Sequence, residues 1–179
     1  MAKNNLKNIG VLGGSFDPPH KGHLYVSKQS IKRFKLKKVI WAITKKNPLK
    51  KSPFFSFRIK KKLCNRIIKR QKKIQLKYYE DKLKSKTSIT LIKFLKKRYD
   101  YNIFFIIGSD NLINFHKWKN YKQLLKMSIL VVFSRKGFDT KAKKSVIIRH
   151  LESKNIKFFK NLKINISSTR LRKKIINGS

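Results

Sequence analysis

"GGSFDPPHKGH", residues 13–23, gathers three glycines, two prolines and two of the chain's four histidines into eleven positions. It follows the short apolar run "IGVL" (9–12) and precedes an amphipathic stretch from Leu24 to Phe34. A strand, a glycine-bearing turn and a helix in that order make a phosphate-binding layout, because the first turn of a helix presents unpaired N–H groups and about half a positive charge. Gly13 and Gly14 are expected to let the backbone turn where a side chain would obstruct a ligand. The helix is expected to start near Gly22 or His23. His20 and His23, spaced i, i+3, can turn both rings to one side, with Gly22 leaving room between them and Pro18 and Pro19 stiffening the approach. Neutral imidazoles donate hydrogen bonds without a fixed full charge, which suits a polyphosphate. A metal held by protein ligands is not assigned, since only Asp17 lies near the pair as a further ligand and the lone cysteine is remote.

Outward from this stretch the chain alternates. Apolar strand-like runs occur at "NIGVL", "KVIWAI", "KIQL", "NIFFII" and "SILVVF", with a weaker pair at "IKFF" and "KINI". Helical patterns fall between them: a stripe of Phe55, Ile59, Leu63 and Ile67, and another of Ile89, Ile92 and Leu95 opened by Thr87 or Ser88 as N-cap. Further helices fit Leu24 to Phe34, Tyr121 to Met127, Ala142 to Leu151 and Thr169 to Ile176. Alternation of this kind predicts an α/β fold, a doubly wound, mostly parallel sheet covered on both faces. At 179 residues, with no repeat or low-complexity linker, one domain over 1–179 is expected. Ligands should then sit beyond the carboxyl ends of the strands.

Composition bounds the function classes. A hydrophobic content of 40% is too high for a disordered chain. Cys64, the one cysteine, cannot form an internal disulfide, and its helical setting predicts a buried thiol in a reducing compartment. The N-terminus lacks the hydrophobic region of a signal peptide, and no later run reaches the ~18 residues of a membrane span, so a soluble cytoplasmic protein is expected. Forty-eight Lys and Arg against seven Asp and Glu give a net charge of +41. The lysines are scattered through every predicted element, as compositional drift would leave them, and no specific nucleic-acid partner is assigned. The positive field should still speed encounter with phosphorylated small molecules. A basic nucleic-acid-binding α/β protein is the alternative from another class. It accounts for the charge and leaves His20, Gly22 and His23 unexplained.

"GGSFDPPHKGH" resembles the HxGH signature of the nucleotidyltransferase superfamily, and its long form is similar to that of the nicotinate-nucleotide adenylyltransferases. That resemblance implies a Rossmann-like nucleotidyltransferase fold and adenylyl transfer from ATP to nicotinate mononucleotide, giving deamido-NAD and pyrophosphate without a covalent enzyme intermediate. "ISSTRLR" (166–172) resembles the superfamily's C-terminal ATP signature, and "IGSDNLINFHKW" (107–118) the family's GxD followed by tryptophan. The resemblance therefore implies catalytic roles for His20 and His23. It implies ATP contacts for Gly13, Gly14, Ser15, Phe16, His20, Gly22, His23, Gly108, Asp110, Ile166, Ser167, Ser168, Thr169 and Arg172. It implies mononucleotide contacts for Asn47, Lys50, Thr87 and Trp118, the last stacking on the pyridine ring, with Arg58 near the same loop. His116 is read as structural. Mg²⁺ would be held mainly through ATP phosphates, no protein metal site is assigned, and homo-oligomerisation is left open. "SKTSITL" (85–91) departs from the family pattern, with Lys86 where tyrosine is usual and Ile89 where aspartate is. Phosphopantetheine adenylyltransferase, which usually has threonine at the place of His20, is the nearer alternative.

Overall fold

A computed structural model describes residues 7–46, 52–99, 101–150, 155–160 and 167–177. Six parallel strands form one sheet: β1 (Lys7–Gly14), β2 (Lys38–Ile43), β3 (Ile74–Tyr78), β4 (Tyr101–Gly108), β5 (Ile129–Phe133) and β6 (Ile156–Phe159), in the order β3-β2-β1-β4-β5-β6. Between them run α1 (Lys21–Arg33), α2 (Phe57–Ile68), α3 (Glu80–Leu83), α4 (Ser88–Arg98), α5 (Ser109–Ile113), α6 (Tyr121–Met127), α7 (Asp139–Lys143) and α8 (Val146–His150), and α9 (Ser168–Ile176) follows β6. "KINI" lies outside the described residues.

The strands are apolar without alternation because both faces are covered. On one face Ile9, Val11, Ile103, Phe105, Leu130 and Val132 pack with Ile92 and Leu95 of α4 and Leu124 and Leu125 of α6. On the other, Leu12, Val39, Trp41, Phe104, Ile106 and Val131 pack with α1 side chains and with Cys64 and Ile68 of α2. Trp41 is fully buried, and its indole N–H donates to Ser27 Oγ at 2.8 Å, pinning α1 over β2. The chain winds outward from β1 through β2 to β3, then crosses to the opposite side of β1 to form β4. That reversal opens a crevice beyond the carboxyl ends of β1 and β4.

Two helical expectations are corrected. The inward stripe of α2 falls one residue later than expected, on Lys60, Cys64 and Ile68, leaving Ile59 44% exposed. A lysine at an interior position hid the true phase. The helix expected from Ala142 to Leu151 is two short helices, α7 and α8, divided near Ser145, whose N–H donates back to Ala142.

Candidate active site

Gly13 and Gly14 close β1, paired in parallel register with Ala42 and Ile43 of β2. The expected turn at these glycines is corrected: the left-handed residue is Phe16, at φ 46°. Gly13 lines the crevice, and a Cβ there would meet nothing nearer than Phe105 at 3.9 Å. Phe16 folds back into the core, 2% exposed, stacked on Trp41 at 4.8 Å and touching the His23 ring at 4.9 Å. Its side chain supports His23 from beneath instead of lining the crevice, and that packing holds the costly backbone. A cis peptide joins Asp17 to Pro18.

His20 is the N-cap of α1, and the cap is built from imidazoles. His20 Nδ1 accepts from the Gly22 N–H at 3.1 Å, and His23 Nδ1 accepts from the His20 N–H at 3.1 Å. The two bonds form a reciprocal capping box in which histidine takes both side-chain roles. They also set the tautomers: with each Nδ1 used as an acceptor, a neutral ring carries its proton on Nε2. The rings lie 3.8 Å apart. Burial pushes the His20 pKa down to about 4, with the Arg135 guanidinium adding to the effect. Burial, then His20 and Arg135, hold His23 well below the ordinary value. Both rings are neutral at pH 7, and His20 Nε2 is buried without a hydrogen-bond partner.

A concave site beside these rings is lined by Leu12, Gly13, His20, Gly22, His23 and Val26 from the β1–α1 side, and by Gly108, Asp110, Asn111, Ser134 and Arg135 from the ends of β4 and β5. Gly108 caps α5, and a Cβ there would collide with the Asp110 carboxylate. Asp110 Oδ2 pairs with Arg135 Nη1, while Oδ1 is buried and unpaired. Arg135 was not singled out from the sequence. It is one of forty-eight basic residues, and only the fold brings it against the histidines. Its backbone N–H is fixed by Ser109 Oγ and Asp139 Oδ1, and Asp139 also accepts from the Ser134 hydroxyl.

The two terminal motifs meet. Ser168 Oγ donates to the Pro18 carbonyl at 2.9 Å, and Arg172 donates to the Asp17 carbonyl and to Thr169 Oγ1. Ser167 caps α9 by accepting from the Arg170 N–H. These residues brace the 17–20 loop and do not line the crevice walls. Asp17 is committed elsewhere: its carboxylate accepts from the Phe54 and Phe55 N–H groups at 2.8 and 2.9 Å. Among the described residues no group of three His, Cys, Asp or Glu side chains could hold a metal ion.

Of the candidate mononucleotide residues, Trp118 and Thr87 are not among those lining this cavity. Trp118 is half-buried against Phe115 and Phe105. Thr87 is the N-cap residue of α4, and its hydroxyl lies within hydrogen-bonding distance of Thr90 Oγ1 and Ser85 Oγ. Asn47, Lys50 and Ile166 lie outside the described residues. Cys64 is fully buried, and burial pushes its thiol up to about 12, so it is inert, as expected. No helix among the described residues is long and apolar enough to cross a membrane.

Known proteins resemble this chain in sequence and in fold. A family model described as cytidylyltransferase-like matches residues 11–174. A Pelagibacter ubique protein named "Probable nicotinate-nucleotide adenylyltransferase" is 45% identical over 175 residues, covering 96% of this chain and 97% of the relative. A Clostridium tetani protein of the same name is 34% identical over 178 residues, covering 97% and 89%. Among solved structures, the Plasmodium falciparum nicotinic acid mononucleotide adenylyltransferase complexed with NaAD superposes with a TM-score of 0.74 at 23% identity, covering 93% of this chain and 83% of the other. The same enzyme complexed with APC gives 0.74 at 22% identity, with the same coverage. At that identity the structural match speaks for the fold.

Proposed function

The chain belongs to the cytidylyltransferase-like family and, within it, to the nicotinate-nucleotide adenylyltransferases, enzymes of adenylyl transfer in NAD biosynthesis, and we propose that its crevice performs that transfer by positioning and charge neutralisation alone. The 5′-phosphate oxygen of nicotinate mononucleotide attacks the α-phosphorus of ATP. A new P–O bond forms as the bond to the bridging oxygen breaks, and pyrophosphate leaves with the electron pair. A phosphate is already a competent nucleophile at neutral pH, so no activated Ser, Cys or Lys is required. Both substrates are anions, and bringing them together in line is most of the task.

In this reading His20 and His23 donate their Nε2–H groups to triphosphate oxygens, at the positive end of the α1 dipole. Neutral donors of fixed geometry suit a charge that shifts from the α-phosphate to pyrophosphate. Among the described residues lining the crevice, Arg135 supplies the permanent positive charge, released for phosphate when Asp110 turns to the ribose hydroxyls. Ser168, Thr169 and Arg172 hold the rim against Asp17 and Pro18 and reach the outer phosphates. Trp118 and the amides near Thr87 receive the pyridine end, with Asn47 and Lys50 beside it. Mg²⁺ would be held mainly by the triphosphate itself and would supply charge neutralisation there, since the Asp17 carboxylate accepts from two amides and no group of three His, Cys, Asp or Glu side chains among the described residues could hold it. The reaction is assigned to the cytoplasm.

The observation that carries this reading is the buried, unpartnered His20 Nε2 beside a ring of the same tautomer, both fixed by backbone N–H groups. A buried donor without a partner costs about 1–3 kcal/mol, which a ligand acceptor would recover. The test is pyrophosphate release with ATP, Mg²⁺ and one acceptor at a time. Nicotinate mononucleotide is expected to give the highest kcat/KM. Faster release with phosphopantetheine, or none with any mononucleotide, would overturn the assignment.

A further inference from the structure

Lys60 is the interior of α2: it is 0% exposed, on the same inward stripe as Cys64 and Ile68. Its Nζ donates to the backbone carbonyls of Thr44 at 3.1 Å and Lys45 at 2.8 Å, the two residues that follow β2. Neither carbonyl belongs to its own helix. The Lys45 N–H, in turn, donates at 3.1 Å to Glu80 Oε2, at the start of α3 after β3. The ammonium also lies in the field of both Asp17 and Glu80. Asp17 belongs to the loop after β1 and holds the Phe54 and Phe55 amides that lead into α2. Three neighbouring strands, β1, β2 and β3, thus have their carboxyl-end loops tied together around one buried ammonium by bonds to backbone groups.

Packing alone does not explain such a group. A buried charge costs several kcal/mol in desolvation, and an apolar side chain of similar size often serves stability as well or better. What Lys60 adds is geometry: two carbonyls and two carboxylate-bearing loops held at fixed separations. Of these, the β2 and β3 loops, which hold the bonded carbonyls and Glu80, lie on the β2–β3 flank, away from the histidine cradle over β1, β4 and β5. The chain leaving α3 leads directly to Ser85 and Thr87, on the acceptor side of the crevice under the reading above.

We propose that Lys60 is a positioning residue for the acceptor substrate, setting the spacing of the β2 and β3 loops on which the mononucleotide lies while leaving the triphosphate cradle intact. The proposal rests on the assignment of nicotinate mononucleotide as acceptor.

Steady-state kinetics with both substrates varied test it, on the wild-type chain, Lys60→Met, Lys60→Arg and Cys64→Ala, with melting temperatures measured in parallel. Lys60→Met is expected to raise KM for nicotinate mononucleotide by roughly tenfold or more and to leave KM for ATP within about twofold. Lys60→Arg, which keeps the charge and the N–H donors, is expected to recover most of that loss. Cys64→Ala, one turn along the same buried stripe, is expected to lower the melting temperature without separating the two KM values. Folded Lys60→Met with both KM values unchanged, or both raised equally, overturns the proposal. If Lys60→Met does not fold, Glu80→Gln keeps an acceptor for Lys45 and removes the charge. It must show the same separation, about threefold, and equal KM values to wild type overturn the proposal. A wild-type chain that does not use nicotinate mononucleotide at all defeats the underlying assignment instead.

Discussion

The same two strands, β1 and β4, end very differently at their two edges. At the amino edge Asn8 and Asn102 sit in register, and Asn102 Nδ2 donates to Asn8 Oδ1 at 3.1 Å. Asn8 Nδ2 donates to the Phe34 carbonyl, and the Lys37 N–H donates to the Asn8 carbonyl. Polar groups there satisfy one another. At the carboxyl edge His20 Nε2 and Asp110 Oδ1 are buried with no partner, near the Arg135 guanidinium. One edge is finished; at the other, two of the six buried side-chain atoms without a hydrogen-bond partner among the described residues belong to residues that line the crevice.

The contrast can be broken most sharply at His23. His23→Ala should lower kcat by roughly 10²- to 10³-fold, the usual size for losing one preorganised donor, with KM for the mononucleotide nearly unchanged. An unaltered kcat in a folded variant removes His23 from the mechanism. Next comes Trp118→Ala, expected to weaken mononucleotide binding by about 1–3 kcal/mol, the size of base stacking on an aromatic ring. A normal KM for the mononucleotide rules out the stack and leaves Trp118 as packing for Phe115 and Phe105. At the finished edge, Asn102→Ala should cost only about 1 kcal/mol of stability by denaturant titration and leave kcat untouched. A large loss of activity there would dissolve the distinction between the edges.

Acidification probes the same contrast with the smallest expected change in rate. An unfolded histidine titrates near 6.5, whereas folded His20 titrates at about 4 and His23 also lies well below the ordinary value. Between those values the unfolded chain binds more protons than the folded one. Stability is therefore full above about pH 6.5 and falls as pH drops from there towards 4. From pH 7.5 to 5.5 turnover per folded molecule should follow the mononucleotide phosphate, whose second pKa is about 6, with no contribution from a histidine. An inflection in kcat near 6.5 that follows a histidine would show that the pair is not held neutral.

How much of this was legible in the sequence depends on whether a residue acts through its own type or through its neighbours. The β strands were readable because buried parallel strands are continuously apolar. His20 and His23 were readable because histidines are scarce in this chain and their spacing fixes their relation within one turn. Arg135 was not, since one basic residue among so many carries no signal until the β5 end brings it to the crevice. Phe16 was placed on the ligand side from its motif, yet its backbone turns it under His23. Lys60 was invisible for a related reason: a lysine on an amphipathic helix is read as outward, and only the carbonyls of Thr44 and Lys45 explain its reversal. The paired motifs implied that both ends of the chain serve one triphosphate, but that Ser168 and Arg172 bond the Pro18 and Asp17 carbonyls needed the fold.

The central claim is that two neutral imidazoles, anchored through Nδ1, offer their Nε2–H groups to a polyphosphate. Histidine side-chain ¹⁵N NMR, with resonances assigned by single His→Gln variants, tests it directly. For His20 and His23 the account predicts Nε2–H tautomers at pH 7, still neutral at pH 5.5, whose Nε2–H signals move when ATP and Mg²⁺ are added. Rings that are protonated at pH 7, that carry the proton on Nδ1, or that do not respond to ATP would contradict it.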